Sequence, residues 1–246
     1  MLDIKLHQLM PTRGMDSGSP FCVKVHRALA YKGLDYTPLN VNSPGELKAL
    51  NPRRSKLPVL EYNGKLILDS TAILRFLDQK HPAPRLYPQG TAERARVDLL
   101  EDWADESFYW YVVYQRWQIP TNFKILVDDA FASLPRALRW AVPPMIRRKV
   151  LSQLKGQGTG LLKEDEVFNR LEGHLAMLET LLAQGPYFTG EALTAADLAL
   201  FGPLQAMHSP GCPEAHALLA DAPRLGQWFQ RVDQQTRGPH TCPAAE

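Results

Sequence analysis

Two apolar periodicities alternate through residues 1–81. Ile4 and Leu6 alternate with polar neighbours, which predicts a strand, whereas PFCVKVHRALAYKG repeats its apolar residues at helical spacing. A second strand and a short helix follow. The stretch LPVLEYNGKLIL predicts a hairpin that turns at Asn63-Gly64, and a helix begins directly after it. The predicted order is β-α-β-α-β-β-α.

The chain changes character after residues 82–91, whose prolines and glycine predict a linker. Residues 92–236 predict an all-helical domain, which opens with one long helix over residues 92–117. Asp197 lies three residues after Thr194 and can complete a capping box there. The helical pattern of the intervening region is broken by prolines, namely Pro135, Pro143 and Pro144.

The predicted fold class is therefore an α/β domain over residues 1–81, joined by the linker to an all-α helical bundle over residues 92–236. Residues 237–246 lack any apolar periodicity, and we expect them to form a disordered tail.

Charge and composition exclude several function classes. A formal net charge of +2 with 22% charged residues gives no reason to expect a nucleic-acid binder. No apolar run approaches the roughly 20 residues of a membrane helix, and the first residues lack the pattern of a signal peptide. Three cysteines at unrelated spacings do not form a disulfide framework. We therefore expect a cytoplasmic protein without membrane contact.

Known nucleotide and metal motifs are also missing. No phosphate-binding loop or dinucleotide glycine fingerprint occurs. His208, Cys212 and His216 match no known zinc spacing and lack a fourth ligand, so we expect no metal.

The stretch SGSPFC, residues 17–22, offers the first candidate chemistry. Ser19 is a good helix N-cap and Pro20 suits the first helical position, so a simple helix start explains both. The alternative is an anion site, because free amides, the helix dipole and a hydroxyl converge there. A bound thiolate fits such a site, since a hydroxyl that donates to it contributes roughly 1.5–3 kcal/mol, enough to lower a thiol pKa by about one to two units.

Two further dipeptides have both a structural and a functional interpretation. Leu57-Pro58 suits a strand start, but a cis bond there would turn the Leu57 backbone towards an extended, peptide-like ligand. Asp69-Ser70 suits a helix start, but Ser70 and the first amides can also bind a carboxylate while Asp69 binds an ammonium.

The order of these motifs resembles the cytosolic glutathione transferase superfamily. SPFC at the first helix, KLPVL before the hairpin and LDSTAI at the third helix resemble its thioredoxin-like half, and LTAADLALF resembles its helical half. Within the superfamily, SPFCVKVHRALAYKGLDY, ESFYWYVVYQRW and RRKVLSQLKGQGTGLLKEDEV are most similar to the metaxin and failed-axon-connections branch and its bacterial relatives.

The resemblance implies a glutathione site. It places Ser19 at the position of the thiol-activating group and Leu57 at the residue that pairs with the cysteinyl backbone. Pro58 falls at the family's cis-proline, and Asp69 and Ser70 fall at the γ-glutamyl recognition pair. The glycyl carboxylate could be held by one of three neighbouring cations, Arg53, Arg54 or Lys56. We choose Lys56. Glutathione would be a co-substrate, and the resemblance also implies a homodimer.

The predicted substrate pocket lies in an aromatic stretch, WADESFYWYVVYQRW. Phe108 and Tyr111 turn to a different helical face from the other aromatics, and with Trp117 we assign them to a pocket for a small apolar electrophile. An extended loop before Ser19 can bring Arg13 into the site. Cys22 is interpreted as a small buried helix residue, because no attacking thiol stands at Ser19.

The predicted function is glutathione conjugation in detoxification, catalysed without a metal. The alternatives are a non-catalytic, metaxin-like glutathione-binding or scaffold protein and a glutathione-dependent isomerase. The basic stretch within residues 136–155 could serve a membrane surface or a partner, but its prolines favour a solvated face.

Overall fold

The computed structural model describes residues 2–132 and 134–242. Its first half contains four strands, β1 Ile4–Gln8, β2 Thr37–Asn40, β3 Val59–Tyr62 and β4 Lys65–Leu68. Three helices separate or follow them, α1 Pro20–Tyr31, α2 Pro44–Leu50 and α3 Ser70–Lys80. The predicted β-α-β-α-β-β-α order is confirmed.

The strands form one mixed sheet in the order β2-β1-β3-β4. The pair β1–β2 is parallel and connected by α1, whereas β3 lies antiparallel to both β1 and β4. Leu6 pairs with Leu60 in the middle of the sheet, and both side chains are fully buried. The sheet is therefore the thioredoxin-like arrangement that the sequence predicts, with α1 and α3 packed against each other.

The second half is helical, as predicted. Its α-helices are α4 Thr91–Trp103, α5 Tyr109–Val113, α6 Pro120–Ala130, α7 Arg136–Gln157, α8 Glu164–Leu181, α9 Ala195–His208, α10 Pro213–Ala220 and α11 Pro223–Gln235. The predicted long helix is interrupted by two π-helical segments, Ala104–Phe108 and Tyr114–Gln118, on either side of α5. Asp197 accepts the Thr194 backbone N–H at 2.9 Å, which confirms the predicted capping box.

One helix departs from the sequence prediction. Pro143 and Pro144 do not break it, because α7 continues through both, whereas Pro135 does mark its start. Each internal proline removes one backbone hydrogen bond. Arg147 anchors the helix just beyond them, donating from Nε to the Trp117 carbonyl at 2.8 Å while its guanidinium lies over the ring of Phe123.

The two halves meet where α1 packs along α9. At Gly202 in α9, an added Cβ would lie 2.4 Å from the backbone oxygen of Pro20, so only glycine permits this approach. Arg27 is fully buried in the same contact, and its guanidinium pairs with Asp16 at 2.6 Å and with Asp233 at 2.7 Å. These contacts fix α1 against the helical half.

The chain end adds to this contact. We expect residues 237–246 to be disordered, but the backbone N–H of Cys242 donates to Asp16 at 2.6 Å and the ring of His240 packs on Tyr36 at 5.0 Å. Residues 243–246 of that tail lie outside the described residues.

His26 is a buried neutral histidine in α1. Its two ring nitrogens bond to the side chains of Gln8 and Tyr36, which suits a ring with one N–H donor and one acceptor. Burial, helped by the positive charge of Arg27, lowers the pKa of His26 to about 3.

Because the unfolded chain takes up a proton near pH 6.5 while the folded chain does not, stability should fall as the pH drops below that value. His26 alone should cost about 3 kcal/mol of unfolding free energy between pH 6.5 and pH 4. Urea unfolding across this range should give a flatter pH dependence for His26→Gln than for the wild type. The same substitution at exposed His216 is the control, and an unchanged slope in His26→Gln would contradict the assignment.

Candidate functional site

A cleft of about 620 Å³ opens between the two halves of the chain. On the α/β side it is lined by the loop before β3 and by the start of α3. On the helical side it is lined by α4 and the first π-helical segment. Basic side chains lie at one end, Arg53, Arg54 and Lys56, and acidic ones on the helical side, Asp98, Glu101, Asp102, Asp105 and Glu106.

The structure brings the five predicted binding residues together in this cleft. They are Lys56, Leu57, Pro58, Asp69 and Ser70. The Leu57-Pro58 bond is cis, as the resemblance implies. Pro58 and Ser70 are buried, whereas Lys56 and Asp69 are exposed. The two dipeptides that the sequence singled out therefore face one cavity.

Asp69 has an unusual backbone. Its φ of 80° lies in the left-handed region, and its carboxylate accepts the Ala72 N–H at 3.2 Å, which caps α3. Its other oxygen lies 3.4 Å from the Arg54 guanidinium. The turn at Asp69 leaves Ser70 as the first residue of α3, at the mouth of the cleft.

Ser19, the predicted thiol-activating residue, does not line the cleft. It is the N-cap residue of α1 in an extended backbone conformation and is half-buried, but its hydroxyl lies near the Cys22 thiol and it lies outside the lining of the cleft. Phe21 lines the cleft instead, and its ring packs on Tyr109 at 4.6 Å.

Cys22 is fully buried, as predicted. Burial raises the pKa of its thiol, and the hydroxyls of Ser17 and Ser19 only partly oppose that effect. Cys22 is therefore a poor nucleophile in the folded chain.

An ionic network missed by the sequence analysis forms the floor of the cleft. Lys24 of α1 is 1% exposed, and its Nζ lies 2.8 Å from Glu101 and 2.6 Å from Asp105. It also donates to the hydroxyl of Thr71 at 3.0 Å, and Tyr87 donates to Glu101 at 3.0 Å. The network joins α1, α3 and the first π-helical segment. The only sign of this network in the sequence is a lysine, Lys24, among apolar neighbours in an amphipathic helix.

One cation is shared by two carboxylates in this network. Burial acts to lower the pKa of Lys24, but Asp105 and Glu101 outweigh it and raise that pKa. Burial raises the pKa of Asp105 more than Lys24 lowers it, and the neighbouring charge of Glu101 adds to the rise. Asp105 retains 12% exposure of its side chain and lines the cleft, so its carboxyl group faces the cavity at this point.

The predicted substrate pocket is not formed by the residues assigned to it. Phe108 is fully buried and Tyr111 is 6% exposed, and both pack in the core around His174, whose Nε2 bonds to the Tyr111 hydroxyl at 3.1 Å. Trp117 is half-buried and packs on Phe123 at 5.7 Å. None of the three lines the cleft. The π-helical turns shift the helical phase, and sequence periodicity assumes a constant phase.

The second π-helical segment places Arg116 beside the start of α1. Arg116 is 6% exposed and donates to the Gly18 carbonyl at 3.2 Å. It also lines a separate cavity of about 150 Å³, and Arg13 lines this cavity rather than the cleft.

Two kinds of feature are absent from the part of the chain that the structure describes. No cluster of three or more His, Cys, Asp or Glu side chains is arranged as a metal site there. Among the same residues, every helix is too short or too polar to span a bilayer.

Removing the network's cation tests its energetic role. Lys24→Met should lower the free energy of unfolding by about 3–5 kcal/mol, because it leaves two carboxylates unpaired at a buried site. Urea unfolding measures the change. Lys5→Met, which breaks a partly exposed pair with Glu61, is the matched control and should lower the free energy of unfolding much less. Equal losses would show that the Lys24 network is no stronger than a surface pair.

Comparison with known proteins identifies two family models. The glutathione S-transferase N-terminal domain matches residues 16–85, and the glutathione S-transferase C-terminal domain matches residues 163–231. Together they cover more than half of the chain.

Individual proteins with similar sequences have names that indicate different functions. Failed axon connections from Drosophila melanogaster is 28% identical over 220 residues, 83% of this chain and 50% of that protein. Maleylacetoacetate isomerase from Mus musculus is 38% identical over 87 residues, 32% of this chain and 40% of that protein. The chain thus spans half or less of the length of these two relatives.

Solved structures agree on the architecture. The crystal structure of the β-etherase LigF from Sphingobium sp. strain SYK-6 aligns with a TM-score of 0.65 at 22% identity, covering 96% of both chains. At this identity the likeness shows the fold alone.

Proposed function

Because the chain belongs to the glutathione S-transferase superfamily, we propose that it binds reduced glutathione in the cleft, stabilises its thiolate and transfers it to a small apolar electrophile. The proposal rests on the arrangement of charged side chains and backbone groups that line the cleft. A basic end, a cis-proline and a helix start beside an acidic wall complement a tripeptide with two carboxylates and one ammonium.

The γ-glutamyl end fits the start of α3. Its α-carboxylate can accept from the Ser70 hydroxyl and the first amides of α3, while its ammonium faces Asp69 and Asp105. An ammonium beside Asp105 would favour the charged form of its carboxyl group. The backbone of Leu57 would pair with the cysteinyl unit.

The glycyl carboxylate fits the basic end of the cleft. Lys56 and Arg53 have no ion pair among the described residues, whereas Arg54 lies beside Asp69. Lys56 therefore remains our choice, with Arg53 as its nearest alternative.

Ser19 activates the thiol in this proposal. A rotation of its hydroxyl away from Cys22 would let it donate to the glutathione sulfur, beside the amides at the start of α1. The thiol proton leaves to solvent, the thiolate forms a C–S bond with the electrophilic carbon, and any leaving group departs with the bonding electron pair. Stabilising the anion and holding the two reactants together supply the catalysis.

The apolar surface nearest to Ser19 differs from the predicted one. Phe21, which lines the cleft two residues after Ser19, forms a half-buried aromatic pair with Tyr109, and we assign the electrophile to the side of this pair. A homodimer, a cytoplasmic location and a role in detoxification belong to the same proposal. The three free cysteines agree with a reducing compartment.

A second candidate is a glutathione-binding protein without turnover. Ser19 lies outside the lining of the cleft, which favours binding without thiol activation. Both functions use the same glutathione contacts at Ser70 and Leu57, so they differ only at the sulfur.

Ser70 tests the binding step that both candidates share. Ser70→Ala should weaken the equilibrium binding of reduced glutathione by about 10- to 100-fold, because it removes a hydrogen bond to a carboxylate. Calorimetric titration measures the dissociation constant. Ser152→Ala on the exposed side of α7 is the control and should bind as the wild type does. Equal affinity of all three proteins would mean that glutathione does not contact Ser70.

Ser19 tests the catalytic step. Ser19→Ala should lower kcat/KM with reactive aryl halides and enones by about 10- to 100-fold while glutathione affinity and thermal stability stay close to the wild type. Ser17→Ala, which removes the other hydroxyl near Cys22, is the matched control. Turnover retained in Ser19→Ala would assign thiol activation to another group. A wild type that binds glutathione but turns over no electrophile would support the second candidate.

A further inference from the structure

Arg116 differs from the other deeply buried basic side chains of the chain. It is 6% exposed, and among the described residues no acidic side chain forms an ion pair with it. The other buried cations, Lys24, Arg27 and Lys32, each pair with at least one carboxylate. A guanidinium stays protonated when it is buried, and an unpaired buried charge is costly. The exception at Arg116 therefore points to an anionic partner from outside the chain.

The hydrogen bonds of the Arg116 guanidinium are also incomplete. Its Nη1 donates to the Gly18 carbonyl at 3.2 Å, whereas its buried Nε has no partner in the part of the chain that the structure describes. Buried N–H donors are normally satisfied, because an unmet donor costs the full penalty of its desolvation. A side chain kept in this state at the expense of stability is typical of a group that binds a ligand.

Arg116 lines a small cavity between the loop after β1, helix α6 and the turn from α9 to α10. The cavity has a volume of about 150 Å³. Pockets for drug-sized ligands measure roughly 300–1,000 Å³, whereas one water occupies roughly 30 Å³ of the liquid. None of the residues that line this cavity lines the larger cleft. It is therefore a separate space, large enough for a small organic molecule.

The unpaired charge at this cavity is positive. Two aspartates also line it, but Asp129 accepts the backbone N–H of Arg13 at 2.8 Å and Asp128 pairs with Arg139 at 3.3 Å. The side chain of Arg13, like that of Arg116, forms no ion pair with any described residue. Water screens Asp128, whose side chain is 63% exposed, far more than it screens a buried guanidinium. An anion is therefore favoured next to Arg116.

The rest of the lining combines one hydroxyl with apolar side chains. Thr12 is 8% exposed, and its hydroxyl forms no hydrogen bond with the residues that the structure describes. Ile125, Leu126 and Pro210 supply the apolar part of the wall. A planar carboxylate matches a guanidinium in geometry as well as in charge. The lining thus complements a molecule with a carboxylate at one end and an apolar body.

We propose that this cavity binds a small organic carboxylate. Its carboxylate pairs with Arg116 and accepts a hydrogen bond from the Thr12 hydroxyl, while its body packs on Leu126 and Pro210. The exposed side chain of Arg13 adds attraction at the entrance. This binding site is independent of the glutathione site, because it shares no lining residue with the cleft.

Two other small ligands fit the cavity less well. Inorganic phosphate satisfies the cations but leaves the apolar wall in contact with water. A neutral amide has the right shape but leaves the charge of Arg116 unpaired. Benzoate, inorganic phosphate and benzamide therefore serve as probes that separate charge from apolar contact.

Thermal unfolding of the full-length protein tests the proposal. The melting temperature should rise with benzoate up to about 50 mM at constant ionic strength, because a ligand that binds only the folded chain stabilises it. The dissociation constant of benzoate should be on the order of 1 mM, and benzamide and phosphate should each bind at least about tenfold more weakly. Sodium chloride at the same ionic strength is the control.

Arg116→Met separates a ligand-binding role from a structural one. It should weaken benzoate binding at least about tenfold. The free energy of unfolding without benzoate should stay close to the wild type or rise, because an unpaired buried charge has been removed. A large loss of stability would instead show that Arg116 holds the fold together. Thr12→Val should weaken benzoate binding about tenfold, and it tests the site even if Arg116→Met does not fold.

Two matched controls locate the bound benzoate. Arg147→Met removes a neighbouring guanidinium that bonds to the carbonyls of Trp117 and Gln118 but does not line the cavity. Arg53→Gln/Lys56→Gln removes two cations of the larger cleft. Both variants should bind benzoate with the affinity of the wild type.

Four results would overturn the proposal. No stabilisation of the wild type by benzoate would exclude the site, and stabilisation by phosphate alone would make it a site for inorganic anions. Equal affinity for benzamide would show that the charge of Arg116 plays no part. Benzoate binding that survives Arg116→Met and Thr12→Val but is lost in Arg53→Gln/Lys56→Gln would place the carboxylate in the cleft.

Discussion

The close approach of α9 to the first turn of α1 is the constraint on which the rest of the structure depends. Gly202 permits it, because any Cβ there would collide with the backbone of Pro20. Further along α1, the buried guanidinium of Arg27 lies over the Phe201 ring of α9 at 4.5 Å and pairs with Asp16 and with Asp233 of α11. Since Ser19 immediately precedes Pro20, the position of the candidate thiol site is set by helix packing and not by the loop before it.

Two π-helical segments connect this packing to the chemistry of the site. The first brings Asp105 to Lys24 on one side of α1, and the second brings Arg116 to the Gly18 carbonyl on the other. A regular α-helix over the same residues would keep a constant phase and could not present both charged groups to α1 in this way. The cleft therefore gains two of its acidic side chains, Asp105 and Glu106, from an irregularity in the helix, and such irregularities are frequent at functional sites.

Short sequence motifs correctly predicted those features of the structure that depend on neighbouring residues in the chain. The hairpin turn at Asn63-Gly64, the capping box at Thr194 and the pairing of Leu57-Pro58 with Asp69-Ser70 in one cleft follow from short-range preferences and motif order. The burial of Phe108 and Tyr111 could not be predicted, because it depends on a phase shift that periodicity does not record. The Lys24 network and the continuity of α7 through its prolines depend on partners distant in sequence.

The central claim is that Ser19 and the start of α1 form a working thiolate site beside the cleft. Calorimetric titration with reduced glutathione near neutral pH, repeated in buffers of different ionisation enthalpy, tests it most directly. The account predicts binding with release of most of one proton, because a thiol with a pKa near about 8.5 must ionise on binding. Binding without proton release would contradict the claim and leave a protein that recognises glutathione without activating it.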